Sequence, residues 1–156
     1  MMNINGAAVW DMDDRMDAFV TACKQNGLRL THQRLEIYRE LMAAKDHPSA
    51  EMVYTRVRKR IPTISLDTVY RTLGSLEECN IIGRVGASTS SARFESNPFP
   101  HDHFICDGCG EIRDVYASEL NREALVRAVP EAYVVRSSHV ELRGFCPACG
   151  QDGGSA

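Results

Sequence analysis

The stretch TISLDTVYRTLGSLEECNIIGRVGASTSSARFES, residues 63–96, changes its periodicity part-way along. In its first half Leu66, Val69, Leu73 and Leu76 recur at i, i+3, i+7 and i+10, one face of a helix, and Ser65 stands where an N-cap is needed. Gly74 lies inside this helix and weakens it by ~1 kcal/mol relative to alanine. After Asn80 the helical spacing ends. "IIGRVG", the small polar tract "ASTSS" and "ARFES" predict two short strands joined by a turn. A helix that runs into a closing hairpin is the outline of a winged helix-turn-helix.

The residues upstream fit that outline. Residues 14–26 place Met16, Phe19, Val20 and Cys23 at helical spacing, and Gly27 ends the run. Thr31 is placed to cap a second helix carrying Leu35, Ile37, Tyr38, Leu41 and Met42. "KDHPSAE" breaks the chain, because the residue before Pro48 is pushed away from helical backbone. Ser49 then caps a third helix expected over Ala50 to Arg60, with Met52, Val53 and Val57 apolar, and Pro62 stops it. Downstream, "SNPFP" at 96–100 is a compact breaker. It sets the expected boundary between a winged-helix unit at 1–95 and a second domain at 96–156. Beyond it, strand-like "HFIC", "EIRDVY" and "AYVVRSSHVELRGFC" surround one expected helix, 118–129. The fold class is therefore α+β: a winged helix-turn-helix followed by a small α/β domain.

Charge is divided in the same way. The chain of 156 residues carries a formal charge of −3. Residues 18–86 hold 11 Lys+Arg against 7 Asp+Glu, whereas residues 95–156 hold 5 against 10. The overall charge argues against nucleic acid, but a basic front and an acidic rear suit two modules with different partners. No apolar run approaches the ~20 residues that span a bilayer. The acidic beginning "MMNINGAAVWDMDDRMD" lacks the basic-then-apolar order of a secretory signal. The expectation is a cytoplasmic protein without membrane contact. In that compartment thiols stay reduced, so the six cysteines read as ligands or core residues before disulfides.

Four of those cysteines have metal-ligand spacing. Cys106 and Cys109, then Cys146 and Cys149, form two C-x2-C knuckles, "CDGCG" and "CPACG". Gly110 and Gly150 permit the tight turn in each. Two such knuckles supply the four thiolates of a tetrahedral Zn²⁺ site, which leaves no open coordination position and is structural rather than catalytic. The alternatives are small buried cysteines or a disulfide pair. Cys23 and Cys79 fall on apolar helical faces and read as core.

The segment "HDHFICDGCGEI", 101–112, holds more donors than that quartet uses. On an extended strand His101 and His103 point to one face and Asp102 to the other. Asp114 lies five residues beyond Cys109 on the neighbouring strand, and Glu95 lies on the strand leaving the first module. Imidazoles with carboxylates form a harder set than thiolates and suit Fe²⁺, Mn²⁺ or Zn²⁺. The plain alternative is a group of unrelated surface residues.

Taken together, "HDHFICDGCGEI", "CPACG", "SLDTVYRTLGSL" and "GLRLTHQRLEIYREL" resemble the ferric uptake regulator family of bacterial metal-dependent repressors, in matching order from about residue 15 to residue 150. The resemblance implies an N-terminal winged-helix DNA-binding domain, a C-terminal α/β dimerisation domain, and a regulatory metal site at the hinge between them. The ligands it implies are His47 from "DHPSAE", Glu95, His101, His103 and Asp114. A homodimer on near-palindromic operator DNA is implied too, with structural Zn²⁺, regulatory Fe²⁺ or Mn²⁺, and no small-molecule substrate beyond the metal ion and H₂O₂. Many iron-sensing relatives carry one more His just before H-D-H, as part of a third site. Here that position is Pro100, and another of its histidines would fall at Ser138, with His139 displaced by one. A third site is not expected, and Asp102 and His139 are weak candidates only.

Three histidines with two carboxylates resemble the peroxide-sensing subgroup, in which Fe²⁺ reacts with H₂O₂ and a ligand histidine is oxidised. Asp114 fits that subgroup, whereas Glu95 fits the iron-sensing one. Peroxide sensing is the expectation, iron sensing the alternative, and zinc or nickel sensing the more distant one. On the helix Ser65–Glu77, Tyr70 and Arg71 project away from the apolar stripe, and the resemblance places them at the DNA. Arginine can read guanine in two hydrogen bonds, and tyrosine can meet a phosphate or a thymine methyl. Arg56, with Arg58, Lys59 and Arg60, and Arg84 on the wing are candidates for phosphate contact. Taken singly, such charges are more often a solvated face. Enzyme readings fit less well. The H-x-E before C-x-x-C in "HVELRGFCPACG" lacks the proline that precedes the first cysteine of a zinc deaminase. A non-haem iron enzyme using His101, His103 and Glu95 is allowed by ligand type, but no substrate-pocket motif accompanies it.

Overall fold

Each of the first four helices begins on a side chain that takes up one of its free N–H groups. In the computed structural model, which describes residues 11–86, 92–117, 119–135 and 138–150, Asp11 caps α1 (Met12–Gln25). Thr31 caps α2 (His32–Ala43), Ser49 caps α3 (Ala50–Val57) and Ser65 caps α4 (Leu66–Glu78). The strands β1 (Gly83–Val85) and β2 (Arg93–Glu95) pair antiparallel, with Arg84 opposite Phe94. The expected turn "ASTSS", 87–91, lies outside the described residues.

The chain divides into two compact units, Met1–Phe99 and Pro100–Ala156. The core of the first is built from one face of each helix. Phe19 stacks on Tyr38 with ring centroids 3.9 Å apart, and Ile37, Val53, Val57, Val69, Leu73 and Leu76 are fully enclosed. Burying each such side chain contributes ~1.5–3 kcal/mol. Phe94 of the hairpin closes this core, and its amide donates to the Pro48 carbonyl at 3.1 Å. That bond draws the wing against the loop before α3. Helix α4 runs unbroken through Gly74, where an added Cβ would meet open space.

Two expectations about the first unit need correction. The third helix ends at Val57 and not at Arg60, because the amides of Arg60 and Ile61 both turn back onto the Val57 carbonyl. That tight turn swings Ile61 and Ile64 into the core, which a continuing helix would not do. Leu66, the first residue of the expected apolar stripe, is only half-buried, and Thr72 lies inside beside Leu73.

The second unit is a three-stranded sheet in the order β4-β3-β5. Strand β3 (Asp102–Cys106) pairs antiparallel with β4 (Ile112–Val115) and parallel with β5 (Glu141–Gly144). Parallel pairing needs a long return path, and this one contains helix α5 (Arg122–Arg127). Helix α5 is shorter than the expected 118–129; Asn121 caps it and Pro130 lies just beyond. A one-turn helix, α6 (Pro147–Gly150), follows β5. The expected strand from Ala132 forms only at its far end. Tyr133 and Val134 are 69% and 88% exposed, since β3 is already flanked on both edges and offers this run no pairing position.

Candidate metal centres and nucleic-acid face

The four cysteines come together at the end of β3 and the start of α6. Their sulfurs all lie within 4.8 Å of one another, and Cys109 Sγ and Cys146 Sγ are 3.7 Å apart. An ion with four Zn–S bonds of ~2.3 Å in a tetrahedron needs sulfurs ~3.8 Å apart. The knuckles are fixed by backbone: Gly110 N–H donates to the Cys106 carbonyl, Gly150 N–H to that of Cys146, and Asp107 N–H to Gly144. Gly110 has φ of +73°, in the left-handed region. Gly108 has no room for a side chain, because an added Cβ would lie 2.8 Å from both Cβ and Sγ of Cys149.

The thiols titrate as a crowded set. Backbone N–H groups of Cys109 and Cys146 hold the Cys106 thiol down at about 6. The neighbouring Cys146, Cys109 and Cys106 sulfurs push Cys149 up to about 12. Four sulfurs this close ionise together only when a cation shares their charge. The donor set therefore fits a closed tetrathiolate ion.

The second unit also assembles a histidine–carboxylate set. His103 lies opposite Asp114 in the β3–β4 register, and His101 stands just before the strand. Both imidazoles are almost fully buried, and their Nε2 atoms are 3.0 Å apart. Asp114 Oδ1 is 3.8 Å from His101 Nε2 and 3.9 Å from His103 Nε2, so one oxygen faces both nitrogens. Two cis ligands around an octahedral ion, each at ~2.1 Å, would stand ~3.0 Å apart. The hydroxyl of Tyr116 donates to the other Asp114 oxygen at 3.3 Å. This tyrosine was not singled out in the sequence; it lies two residues after Asp114 and so on the same side of an extended chain.

In the first unit His47 and Glu95 form a second pair. His47 Nε2 is 3.4 Å from Glu95 Oε2, and His47 is buried. His47 has φ of +46°, a left-handed backbone conformation that is unusual for histidine and is held by its surroundings. The Arg93 guanidinium donates to the His47 carbonyl at 3.3 Å, and the Phe94–Pro48 bond fixes the next residue. Glu95 can fold over the hairpin because its register partner is Gly83, where a Cβ would stand 3.0 Å from Glu95 Oε1.

The weak candidates fall elsewhere. Asp102 points away from its flanking histidines, and its oxygens accept from Arg122 Nη2 at 2.7 Å and from the Val140 amide at 2.9 Å. His139 is exposed.

On α4, Tyr70 and Arg71 are exposed, opposite Val69, Leu73 and Leu76. The Tyr70 hydroxyl donates to Glu51 of α3, which holds the Glu51 carboxyl below its usual range and raises the phenol. Arg71 reaches Asp67 one turn back at 3.4 Å. Arg84 lies over the Phe94 ring and 3.7 Å from Glu77. Arg56 is committed differently: both guanidinium nitrogens donate to Asp46, one at 3.0 Å, and Glu40 lies 3.8 Å away. Arg60 likewise spans Glu36 and Glu40 at 2.6 and 2.9 Å, and Arg58 lies over Tyr54. Sequence reading missed Glu36, which is buried and also accepts from Arg39. Its position between Leu35 and Ile37 on α2 was the available signal.

The profile described as "Ferric uptake regulator family" matches residues 25–143. The chain belongs to the ferric uptake regulator family. A Staphylococcus epidermidis protein named peroxide-responsive repressor PerR is 30% identical over 148 residues, covering 94% of this chain and 98% of that one. The Helicobacter pylori ferric uptake regulator Fur, whose structure is described as revealing three functional metal binding sites, superposes with a TM-score of 0.76. It is 28% identical, and the match covers 96% of this chain and 99% of that one. A zinc uptake regulator complexed with zinc and DNA matches at a TM-score of 0.64 and 27% identity, over 92% and 98% of the two chains.

Proposed function

We propose that this protein is a metal-dependent, DNA-binding transcriptional repressor that senses peroxide. In this reading Cys106, Cys109, Cys146 and Cys149 hold Zn²⁺ for stability. His47, Glu95, His101, His103 and Asp114 together hold Fe²⁺ or Mn²⁺. The observation that carries it is the convergence of His101, His103 and one Asp114 oxygen within the second unit. The His47–Glu95 pair in the first unit supplies a complementary half-set. An ion taken by both halves fixes the angle between a DNA-binding domain, 1–95, and a dimerisation domain, 96–156. The equilibrium then shifts toward the DNA-competent arrangement by the difference in the ion's affinity for the two arrangements.

Each residue has a distinct task. The imidazoles would offer their Nε2 lone pairs to the ion, and Tyr116 orients the Asp114 carboxylate. Bound Fe²⁺ would supply the one-electron chemistry that cleaves the O–O bond of H₂O₂ beside these imidazoles, chemistry Mn²⁺ would not readily supply; the net change would be one oxygen gained by a histidine and one water released. His101 and His47 are the residues we assign as oxidised. A ligand that gains oxygen no longer holds the hinge, and the operator is released. Peroxide sensing is supported by the identity to the staphylococcal repressor over nearly the whole chain. Iron responsiveness is the second reading, favoured by the close superposition on the H. pylori regulator and by Glu95.

Tyr70 and Arg71 are the residues we assign to base edges, with Arg84 at phosphate. Arg56 joins them only by leaving Asp46, which makes it the weakest of the four. The dimer is supported by Tyr133, Val134, Leu142 and Phe145, a set of large apolar side chains exposed on one small unit. Two recognition helices on a two-fold axis suit a near-palindromic operator. No helix among the described residues is long and apolar enough to cross a membrane, and the cytoplasm, where operator DNA resides, is the place of action. We assign it no enzymatic turnover, in keeping with a family of regulators. Operator binding by fluorescence anisotropy, with and without Mn²⁺, tests this. We expect metal to tighten binding in the wild type but not in Asp114→Ala; metal-independent binding by both overturns the proposal.

A further inference from the structure

Asp102 is the middle residue of His101-Asp102-His103 and is 1% exposed, a burial unusual for a carboxylate. Strand alternation turns it to the face opposite the two imidazoles. There it meets an arrangement of four bonds. Arg122 Nη2 donates to Asp102 Oδ2 at 2.7 Å, and Arg122 Nη1 donates to the Ser138 carbonyl at 3.1 Å. The Val140 amide donates to Asp102 Oδ1 at 2.9 Å, and the His103 amide donates to the Val140 carbonyl at 3.1 Å. Helix α5, the 138–140 segment and the start of β3 are thereby tied at one point.

We infer that Arg122 and Asp102 form a clamp whose task is to hold the His101–His103 pair at ligand spacing. The inference rests on the metal-site reading above. Stability alone explains such a pair poorly. A buried ion pair is often matched or bettered by apolar residues of similar volume, because desolvating two charges offsets their attraction. What this pair provides is position. Asp102 shares a peptide bond with each histidine, so fixing its carboxylate on three elements fixes the backbone that carries both imidazoles. Their Nε2 atoms stand 3.0 Å apart and converge on Asp114. Arg122 bonds to Asp102 and to the Ser138 carbonyl and acts on the histidines through Asp102; it is a positioning residue. Partners of this kind typically change metal affinity ~10–100-fold when removed.

The test uses the full-length, zinc-loaded protein as wild type, Arg122→Gln, Arg122→Lys, Asp102→Asn and His103→Ala. Mn²⁺ affinity is measured by electron paramagnetic resonance, and the ligand field by the visible absorption of Co²⁺ at the same site. We expect Arg122→Gln and Asp102→Asn to weaken Mn²⁺ binding by ~10-fold or more and to alter the Co²⁺ spectrum, with zinc content unchanged. Arg122→Lys should regain part of the affinity. Wild-type Mn²⁺ affinity and Co²⁺ spectrum in Arg122→Gln overturn the clamp. So does an Arg122→Lys protein as weak as Arg122→Gln whose melting temperature has fallen with it, since the role is then merely structural. Should Arg122→Gln fail to fold, Asp102→Asn decides alone, because it preserves shape and the Val140 bond. His103→Ala separates the two readings. If it loses Mn²⁺ while Arg122→Gln keeps it, only the clamp falls; if it binds like wild type, the metal-site reading falls as well.

Discussion

Replacing Gly108 with alanine builds a methyl group 2.8 Å from both Cβ and Sγ of Cys149 and 3.5 Å from the Phe145 ring. Carbon and heavier atoms pack at ~3.5–4.0 Å, so one knuckle must retreat by ~1 Å. Zinc–ligand distances tolerate only ~0.2 Å. Overpacking of this size costs about 1–3 kcal/mol, which falls on the metal-bound state, where the four sulfurs must close. At ~1.4 kcal/mol per tenfold change, the zinc dissociation constant should rise ~5- to 150-fold. Gly110→Asn is the comparison: it strains a backbone held at φ of +73° without crowding Cys149, and should weaken zinc retention less than Gly108→Ala. The assay is competition against a chelating dye, with zinc counted per chain. A Gly108→Ala protein that holds zinc as tightly as wild type refutes this account of the knuckles.

Cys106→Ser should lose zinc and melt far below wild type, because closed thiolate sites contribute ~10–16 kcal/mol in small zinc peptides; metal analysis and calorimetry decide it. His47→Ala should keep the fold and the zinc yet fail to gain operator affinity when Mn²⁺ is added, as read by anisotropy. Arg71→Ala should weaken operator binding by ~1–3 kcal/mol and relax preference at one base, whereas Arg84→Ala should weaken all sequences alike and flatten the salt dependence. Tyr70→Phe removes the hydroxyl that holds the Glu51 carboxyl below its usual range. A depressed carboxyl stabilises the fold above its unfolded value of ~4.3 and loses that contribution as pH falls through its folded value. The melting difference between wild type and Tyr70→Phe should therefore be present at neutral pH and vanish in acid.

The first unit was legible because local signals agreed with packing. Thr31, Ser49 and Ser65 read as caps and act as caps, and the Val69/Leu73/Leu76 stripe faces inward. The end of α3 was not legible, since the turn at Arg58–Arg60 is set by where Ile61 and Ile64 bury themselves, a tertiary demand. The run from Ala132 illustrates the opposite limit. Tyr133, Val134 and Val135 have strong strand propensity, but a strand forms only where a neighbour offers hydrogen bonds. The clustering of the four cysteines and the way Asp102 points were readable from spacing, whereas His47 entered only through the family resemblance. The partners of those residues were not. Arg122 lies twenty residues from Asp102, and only the folded chain brings them together. The arginines of the 56–60 run look like a free cationic face in sequence, whereas Arg56 and Arg60 meet Asp46, Glu36 and Glu40 in the fold.

In the proposed function, an ion held by histidines and carboxylates couples peroxide to operator binding. The most direct measurement loads the protein with Fe²⁺ or with Mn²⁺, adds a low dose of H₂O₂, and follows operator binding and peptide masses on the same samples. The Fe²⁺ form should release DNA irreversibly and gain one oxygen on the peptide carrying His101 or His47. The Mn²⁺ form should do neither, and the zinc-bound cysteines should stay unmodified in both. Fe²⁺-loaded protein that keeps its DNA, with every histidine peptide unchanged in mass, would contradict it.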